Sequence, residues 1–345
     1  MSCGTEPLTL IDKPGLQAPI RLRALSGSGG CAAKAPPDLV SRLVETVAAA
    51  GLENVQELVG LDPADDAVVY PLADDRALVA TVDFFPPLVD DPDDYGTIAA
   101  ANAVSDIYAM GGEVVIALTV CGFPAVVPDS VVAEVNRAAA ALVASCGGAI
   151  LGGHSIRCAE PVFGLCVIGF LHPGKIWRKS GAQDGDVLML SKQLGTGLLL
   201  SSRSEVHLPA ALRVMRATNR AAAEALRSQG HQPHAVTDIT GYGLLGHAGE
   251  MARQSGVDLV VDTSLLPVLP GALEAAAAGV RTSAHRYLKV GMNEVDPAVL
   301  AVLQDPQTSG GLLAAVPRES VAALEAAGFK RIGAVRAGSG EVRVA

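Results

Sequence analysis

The chain has 345 residues, a formal charge of −10, 37 glycines, six cysteines and few aromatics (six Phe, five Tyr, one Trp). The acidic balance excludes a nucleic-acid binder, which needs a basic face against phosphates. The longest apolar window, about 114–123, is a strand's length rather than a membrane span, and cysteines without paired spacing suit reduced, cytoplasmic thiols.

Residues 1–25 mix Pro, Gly and charges without periodicity or an apolar run, and read as a flexible extension that is no secretory signal. Ser26-Gly27-Ser28-Gly29-Gly30-Cys31-Ala32-Ala33-Lys34 opens a glycine-rich loop over 26–37, expected to be too mobile to bury its thiol or its amine. Lys34 would favour the Cys31 thiolate by charge, or reach a phosphate. Leu39, Leu43, Val44 and Val47 recur at helical spacing up to Gly51. Asp65-Asp66 lead into a strand at 67–70, and a turn at 73–76 joins it to a second strand, 77–82, ending on Asp83. A helix over 97–110, stopped by Gly111-Gly112, precedes a strand at 114–120 and an Ala/Val helix over 129–146. A short strand at 149–151 runs into Gly152-Gly153-His154, and a strand at 161–170 closes this half.

The basic, turn-rich stretch 172–181 marks a composition break, with Lys175, Arg178 and Lys179 reading as a solvated linker more than a phosphate site. Beyond it come strand 186–190, helix 210–229, strand 234–239, helix 244–255, strand 257–261 and helix 271–278. Asp305-Pro306-Gln307-Thr308-Ser309-Gly310-Gly311 then opens a strand at 312–316, before a last helix and strand. Domains are expected at 26–172 and 184–345, and the mixture in each half gives the class as α/β, α+β mixed.

Nucleotide P-loop, zinc-protease, nucleophile-elbow and paired CxxC motifs are absent. What stands out is aspartate at element ends: Asp65, Asp66, Asp83, Asp106, Asp238 and Asp305, with Asn102 and Asp106 on one helix face. A single aspartate of this kind ordinarily caps a helix or fills an Asx-turn. Several together repel one another unless a cation neutralises them, and Mg²⁺, shared between carboxylates and substrate phosphates, suits the set. Gly241-Tyr242-Gly243-Leu244-Leu245-Gly246 spells a dinucleotide fingerprint, with Asp262 at the right remove for a ribose. Asp238 just before it would repel a pyrophosphate, so a Mg²⁺-bridged phosphate site uses the same residues with less conflict. His154 suits a nucleotide contact or a strand end. Cys121, Cys146, Cys158 and Cys166 read as core thiols, and Cys3 as incidental.

The stretches 29–34, 65–70, 81–85, 101–112, 152–155, 237–247 and 305–311 resemble the selenophosphate synthetase (selenide, water dikinase) family, over about 26–344. The Cys31/Lys34 loop together with 237–247 and 305–311 separates that family from the wider aminoimidazole ribonucleotide synthetase-like superfamily. The resemblance implies the two-domain architecture of that superfamily, with an N-terminal domain that dimerises through its strands and ATP between domains and subunits. It implies a reaction of ATP, selenide and water giving selenophosphate, AMP and orthophosphate, for selenocysteine and selenouridine synthesis.

By matching position, the resemblance implies that Cys31 is the nucleophile and that Lys34 engages the ATP phosphates. It implies Asp66, Asp106 and Asp238 as Mg²⁺ ligands, and Pro63, Ala64, Asp65, Asp83, Asp106, Gly152, Gly153 and His154 as ATP contacts. The partners it implies are ATP, selenide, a second copy in a homodimer and a selenium-delivery protein, in the cytoplasm, with no nucleic acid and no membrane. Ala33 stands where many relatives carry a second cysteine, and Pro63-Ala64 where many carry a polar Ser/Thr-Arg pair, so contacts there would run through backbone. The alternatives are another ATP enzyme of the superfamily, of thiamine-monophosphate kinase or hydrogenase-maturation type, or a non-catalytic selenium- or nucleotide-binding protein with Cys31 as carrier.

Overall fold

A computed structural model describes residues 20–27, 29–49, 58–61, 64–282 and 295–345. Of the stretch read as a flexible extension, residues 1–19 lie outside the described residues. The part that is described is packed: Leu22–Leu25 forms a 3₁₀ turn, and Leu22 is fully buried in the N-terminal core.

The N-terminal half runs α1 (Pro37–Ala49), β1 (Val59–Leu61), β2 (Ala64–Ala73), β3 (Arg76–Phe85), α2 (Pro92–Ala103), α3 (Ser105–Ala109), β4 (Glu113–Phe123), α4 (Asp129–Ser145), β5 (Ala149–Arg157) and β6 (Val162–Leu171). Its strands form a sheet ordered β1-β2-β3-β6-β4-β5, with β2 and β3 as the expected hairpin. Alternation along β3 sorts its side chains: Ala77, Val79 and Phe85 are buried, while Val82 and Phe84 remain exposed. Helices α2 and α4 cover the inner face. They cross at Gly96, where a Cβ would lie 2.1 Å from the Val135 carbonyl oxygen, so no larger residue allows that approach.

Several expected boundaries move, and the helix expected over 97–110 breaks at Val104, so that Asn102 lies on α2 and Asp106 on α3 rather than on one helix. The helix expected from 97 starts at Pro92, where Asp91 accepts the Asp94 N–H at 2.9 Å and proline occupies the first turn. The strand expected to end at 151 continues to Arg157, because Gly152, Gly153 and His154 stay in register with Leu118, Thr119 and Val120 of β4.

The C-terminal half runs β7 (Val187–Leu190), α5 (Thr196–Ser202), α6 (Leu208–Arg216), α7 (Arg220–Arg227), β8 (Ala235–Asp238), α8 (Gly243–Ser255), β9 (Val257–Val261), α9 (Ala272–Ala277), α10 (Pro297–Leu303), β10 (Leu312–Val316), α11 (Val321–Ala326), β11 (Lys330–Ala337) and β12 (Val342–Val344). Its sheet is ordered β12-β9-β11-β7-β10-β8. One apolar cluster extends from the first sheet to Met189, Met215 and Ala314, so the halves share a core. Leu188, Leu245, Met251 and Val302 belong to a second cluster.

The single helix expected over 210–229 is two helices. Asn219 turns inward at the break, donating to Ser105 Oγ and to the Gly310 carbonyl, both at 2.8 Å. The stretch read as a solvated linker is docked between the halves instead. Trp177 is 3% exposed and donates to Gln232 Oε1 at 3.0 Å, Arg178 donates to the Leu58 carbonyl at 2.8 Å, and Lys179 is buried.

Candidate active site

Between the two halves lies a cleft of about 650 Å³. Asp66 comes from β2, Asp106 from α3 and Asp238 from the end of β8, and their carboxylate oxygens lie within 4.8 Å of one another. Strand pairing and helix position set this convergence, since each aspartate sits at a fixed point of a paired strand or a packed helix. Thr81 Oγ1 donates to Asp106 Oδ2 at 2.6 Å. The Lys179 ammonium pairs with Asp66 Oδ1 at 2.9 Å and Glu250 Oε2 at 3.1 Å, while its backbone N–H donates to Asp65 Oδ2 at 3.0 Å.

The electrostatics are those of crowded anions. Burial, then the neighbouring Asp66 charge, pushes Asp238 up to about 7. Burial and the Asp238 and Asp83 charges hold Asp106 well above the carboxylate range. Asp65 is pushed up to about 6 by burial and by Asp66. Asp66 Oδ2 and Asp238 Oδ2 are buried and have no hydrogen-bond partner. Orphaned carboxylate oxygens converging within one cluster suit a hard divalent cation, which would supply the charge Lys179 alone does not.

The glycine loop meets this cluster from the other side. Gly30, at φ +62°, starts a 3₁₀ turn at Gly30–Ala33, and its N–H donates to the Pro86 carbonyl at 3.0 Å. The Cys31 N–H donates to Thr308 Oγ1 at 3.0 Å, and its thiol donates to Asn102 Oδ1 at 3.3 Å. Asn102 in turn donates to Asp83 Oδ2 at 2.5 Å and accepts the Ser309 N–H at 2.8 Å.

The expectation that loop mobility leaves both groups unburied is therefore corrected for the sulfur: Cys31 is 3% exposed. The expected thiolate is corrected too. Burial pushes the thiol up to about 12, outweighing the pull of Lys34. Lys34 keeps access to solvent at the cleft, where Nζ donates to Thr240 Oγ1 at 3.3 Å and lies 5.8 Å from the Tyr242 ring centre. Desolvation works against its charge, but Asp83, Cys31, Asp106 and Asp238 hold the ammonium above its ordinary range.

The dinucleotide-like glycines have a different job here. A Cβ on Gly241 would lie 2.6 Å from Lys34 Cδ and 2.8 Å from the Cys31 carbonyl oxygen, so this glycine admits the loop. Gly243, at φ +66°, begins α8 against the Gln304 backbone.

Lys34, Ala64, Asp65, Asp66, Asp83, Asp106 and Asp238 all line the cleft. Pro63 lies outside the described residues. Gly152, Gly153 and His154 do not line it; they are exposed on β5, at the sheet edge. Cys121 and Cys146 are core thiols, whereas Cys158 and Cys166 are half-buried. Sequence reasoning missed Thr81, Asn102 as the partner of Cys31, Glu250, and His247, which accepts the Thr240 N–H at 3.2 Å and is kept neutral by burial, its pKa lowered to about 3. The stretches 237–247 and 305–311 were the available signal for His247 and for the Asn102 contact.

Two family models match the chain: AIR synthase related protein, N-terminal domain, over residues 64–171, and its C-terminal domain over 183–345. The chain is 44% identical to Selenide, water dikinase of Paraburkholderia xenovorans (strain LB400), covering 94% of this chain and 96% of that one. It is 40% identical to Selenide, water dikinase 2 of Peptoclostridium acidaminophilum, covering 88% and 90%. Thiamine-monophosphate kinase from Stenotrophomonas maltophilia K279a superposes with a TM-score of 0.63 at 24% identity, over 88% of this chain and 95% of that one, which is a likeness of fold alone. With both halves matched in order and the curated relatives aligned along nearly their whole length, the chain belongs to the selenide, water dikinase family of AIR synthase related proteins.

Proposed function

We propose that the chain makes selenophosphate: ATP, selenide and water are converted to selenophosphate, AMP and orthophosphate. The observation that carries this reading is a cysteine sulfur and a lysine ammonium, delivered by one loop, beside a converging set of half-buried and buried aspartates. A carrier protein needs the thiol but not the aspartates. A plain ATP kinase of this fold needs the aspartates but not the thiol.

In this reading Lys34 would take the charge of ATP phosphates, and Cys31 would handle selenide once its sulfur leaves Asn102. Asp66, Asp106 and Asp238 would hold Mg²⁺, which when bound neutralises polyphosphate charge so that an anion can approach phosphorus. Ala64 and Asp65 lie on the same wall and would meet the nucleotide, with Asp83 tying it to the thiol through Asn102. Closure of the cleft would keep water from the phosphoryl group until its turn.

The domains are read as 26–172 and 184–345, and the working form as a homodimer in the cytoplasm. Support for the dimer lies in Val68, Tyr70 and Leu72 of β2 and Val82 and Phe84 of β3, which leave an apolar sheet face exposed. Pairing through it would bring Gly152, Gly153 and His154 of one copy towards the nucleotide of the other. No helix among the described residues is long and apolar enough to cross a membrane.

The test is purified protein with ATP, Mg²⁺ and anaerobic selenide, followed by AMP release and the phosphorus resonance of selenophosphate. Selenide-dependent AMP with that resonance is expected. ADP as the sole product, or AMP formed equally without selenide, would overturn the reading.

A further inference from the structure

We infer that a second, cationic pocket behind the Cys31 loop binds a tetrahedral phosphoryl oxyanion. The pocket has a volume of about 480 Å³ and is walled by Arg21, Arg23, Arg203 and Arg281 against one carboxylate, Asp90. Four arginines and one acid line this pocket, on a chain whose net charge is −10. Asp90 accepts the Arg23 backbone N–H at 3.0 Å.

Among the described residues none of these arginines pairs with a carboxylate. Arg23 donates to the Leu200 carbonyl at 3.4 Å, and Arg281 to the Ala276 and Val280 carbonyls, both at 2.7 Å. Arg21 and Arg203 carry no side-chain bond there. Arg203 also sits at φ +55°, a left-handed backbone that a side chain adopts at a cost of about 1 kcal/mol. Glu160 accepts from Ser26 Oγ and from the Gly27 N–H at 3.1 Å, two residues that line the pocket.

Position gives the pocket its meaning. Gly29, Ala32 and Thr308 line it, and the Thr308 hydroxyl is the one that accepts the Cys31 N–H. Lys34 and Ala35, at the other end of the same loop, line the aspartate cleft. Cys31 thus stands between an acidic cavity that suits a metal-bound polyphosphate and a basic one that suits an anion without a metal. Forked guanidinium donors match phosphoryl oxygens in pairs. The assignment rests on the proposed reaction, whose two products without a nucleoside, orthophosphate and selenophosphate, share this chemistry.

Calorimetry of the full-length protein, its cleft saturated with Mg²⁺ and a non-hydrolysable ATP analogue, tests the pocket with inorganic phosphate and with thiophosphate as the chalcogen-bearing probe. Both anions are expected to bind. Arg21→Gln combined with Arg203→Gln should weaken both by about tenfold or more, with nucleotide affinity and melting temperature unchanged. Arg281→Gln should weaken them independently. Tighter binding of thiophosphate assigns the pocket to the selenium product, and equal binding assigns it to orthophosphate; either outcome supports it. Loss of anion binding once the cleft is filled, or variants that bind as the parent does, would overturn it. The readout needs no turnover, so a failed selenide assay would remove the proposed reaction while leaving this result to stand or fall alone.

Discussion

Cys31 holds its sulfur 3.3 Å from the Asn102 amide oxygen in a buried site, and that placement governs when the thiol can react. Because the thiolate is the nucleophile, a thiol pushed up to about 12 is inert at neutral pH. Iodoacetamide should therefore modify Cys31 about tenfold or more slowly than half-buried Cys158 at neutral pH. The rate at Cys31 should keep rising with pH towards 12 without the plateau near 9 of a free thiol, as read by mass spectrometry of each peptide. Equal rates at the two cysteines would mean that the loop leaves its seat in the resting protein. The aspartates present the opposite problem, charge without compensation. Asp106→Asn removes one of the crowded carboxylates, so the melting temperature in chelator should rise, by about 1 kcal/mol of stability, while the gain on adding Mg²⁺ shrinks. A lower melting temperature in chelator would contradict the crowding.

At the scale of elements, the site is assembled where segments distant in sequence cross. The 172–181 connector supplies Lys179, whose ammonium bridges Asp66 of β2 and Glu250 of α8. Its side chain and that of Asp66 are 9% and 4% exposed, so deleting the cation strands a buried anion. Lys179→Met should cost about 3 kcal/mol in urea unfolding, with part of the loss recovered by Mg²⁺. A variant as stable as the parent would show that the bridge is screened by solvent. The periodic elements, including the β2–β3 hairpin and α4, were legible because one buried face leaves a repeat in the sequence. The break between α6 and α7 was not legible: Asn219 is turned inward by Ser105 and Gly310, residues far away in sequence. Burial of the connector depends in the same way on surfaces contributed by both halves.

For the whole molecule, the exposed apolar face of the first sheet is the feature that one chain leaves unexplained. Phe84, 53% exposed on β3, is central to it. Phe84→Glu places a charge on that face without touching the core, and should convert the proposed dimer to monomer in light scattering while leaving the fold unchanged by circular dichroism. Turnover should fall with it, since Gly152, Gly153 and His154 lie away from their own cleft. A variant that remains dimeric would place the interface elsewhere.

Composition, periodicity and the order of motifs by themselves determined the mixed α/β class, the absence of a membrane-length apolar run, and a set of aspartates at element ends; the resemblance singled out Asp66, Asp106 and Asp238 among them, and Asp305 stands away from the cleft, bonded to the Gly197 N–H. These properties are local: a strand's alternation, or an aspartate beside a turn, is written within a few residues. The tertiary structure alone decided that Cys31 rests as a buried thiol, that Lys179 is an ion-pair bridge, and that Gly241 makes room for the Lys34 loop. It also placed four arginines around one pocket behind that loop. Each of these depends on desolvation and on charges from segments far apart in the chain, and neither is expressed until the chain has folded.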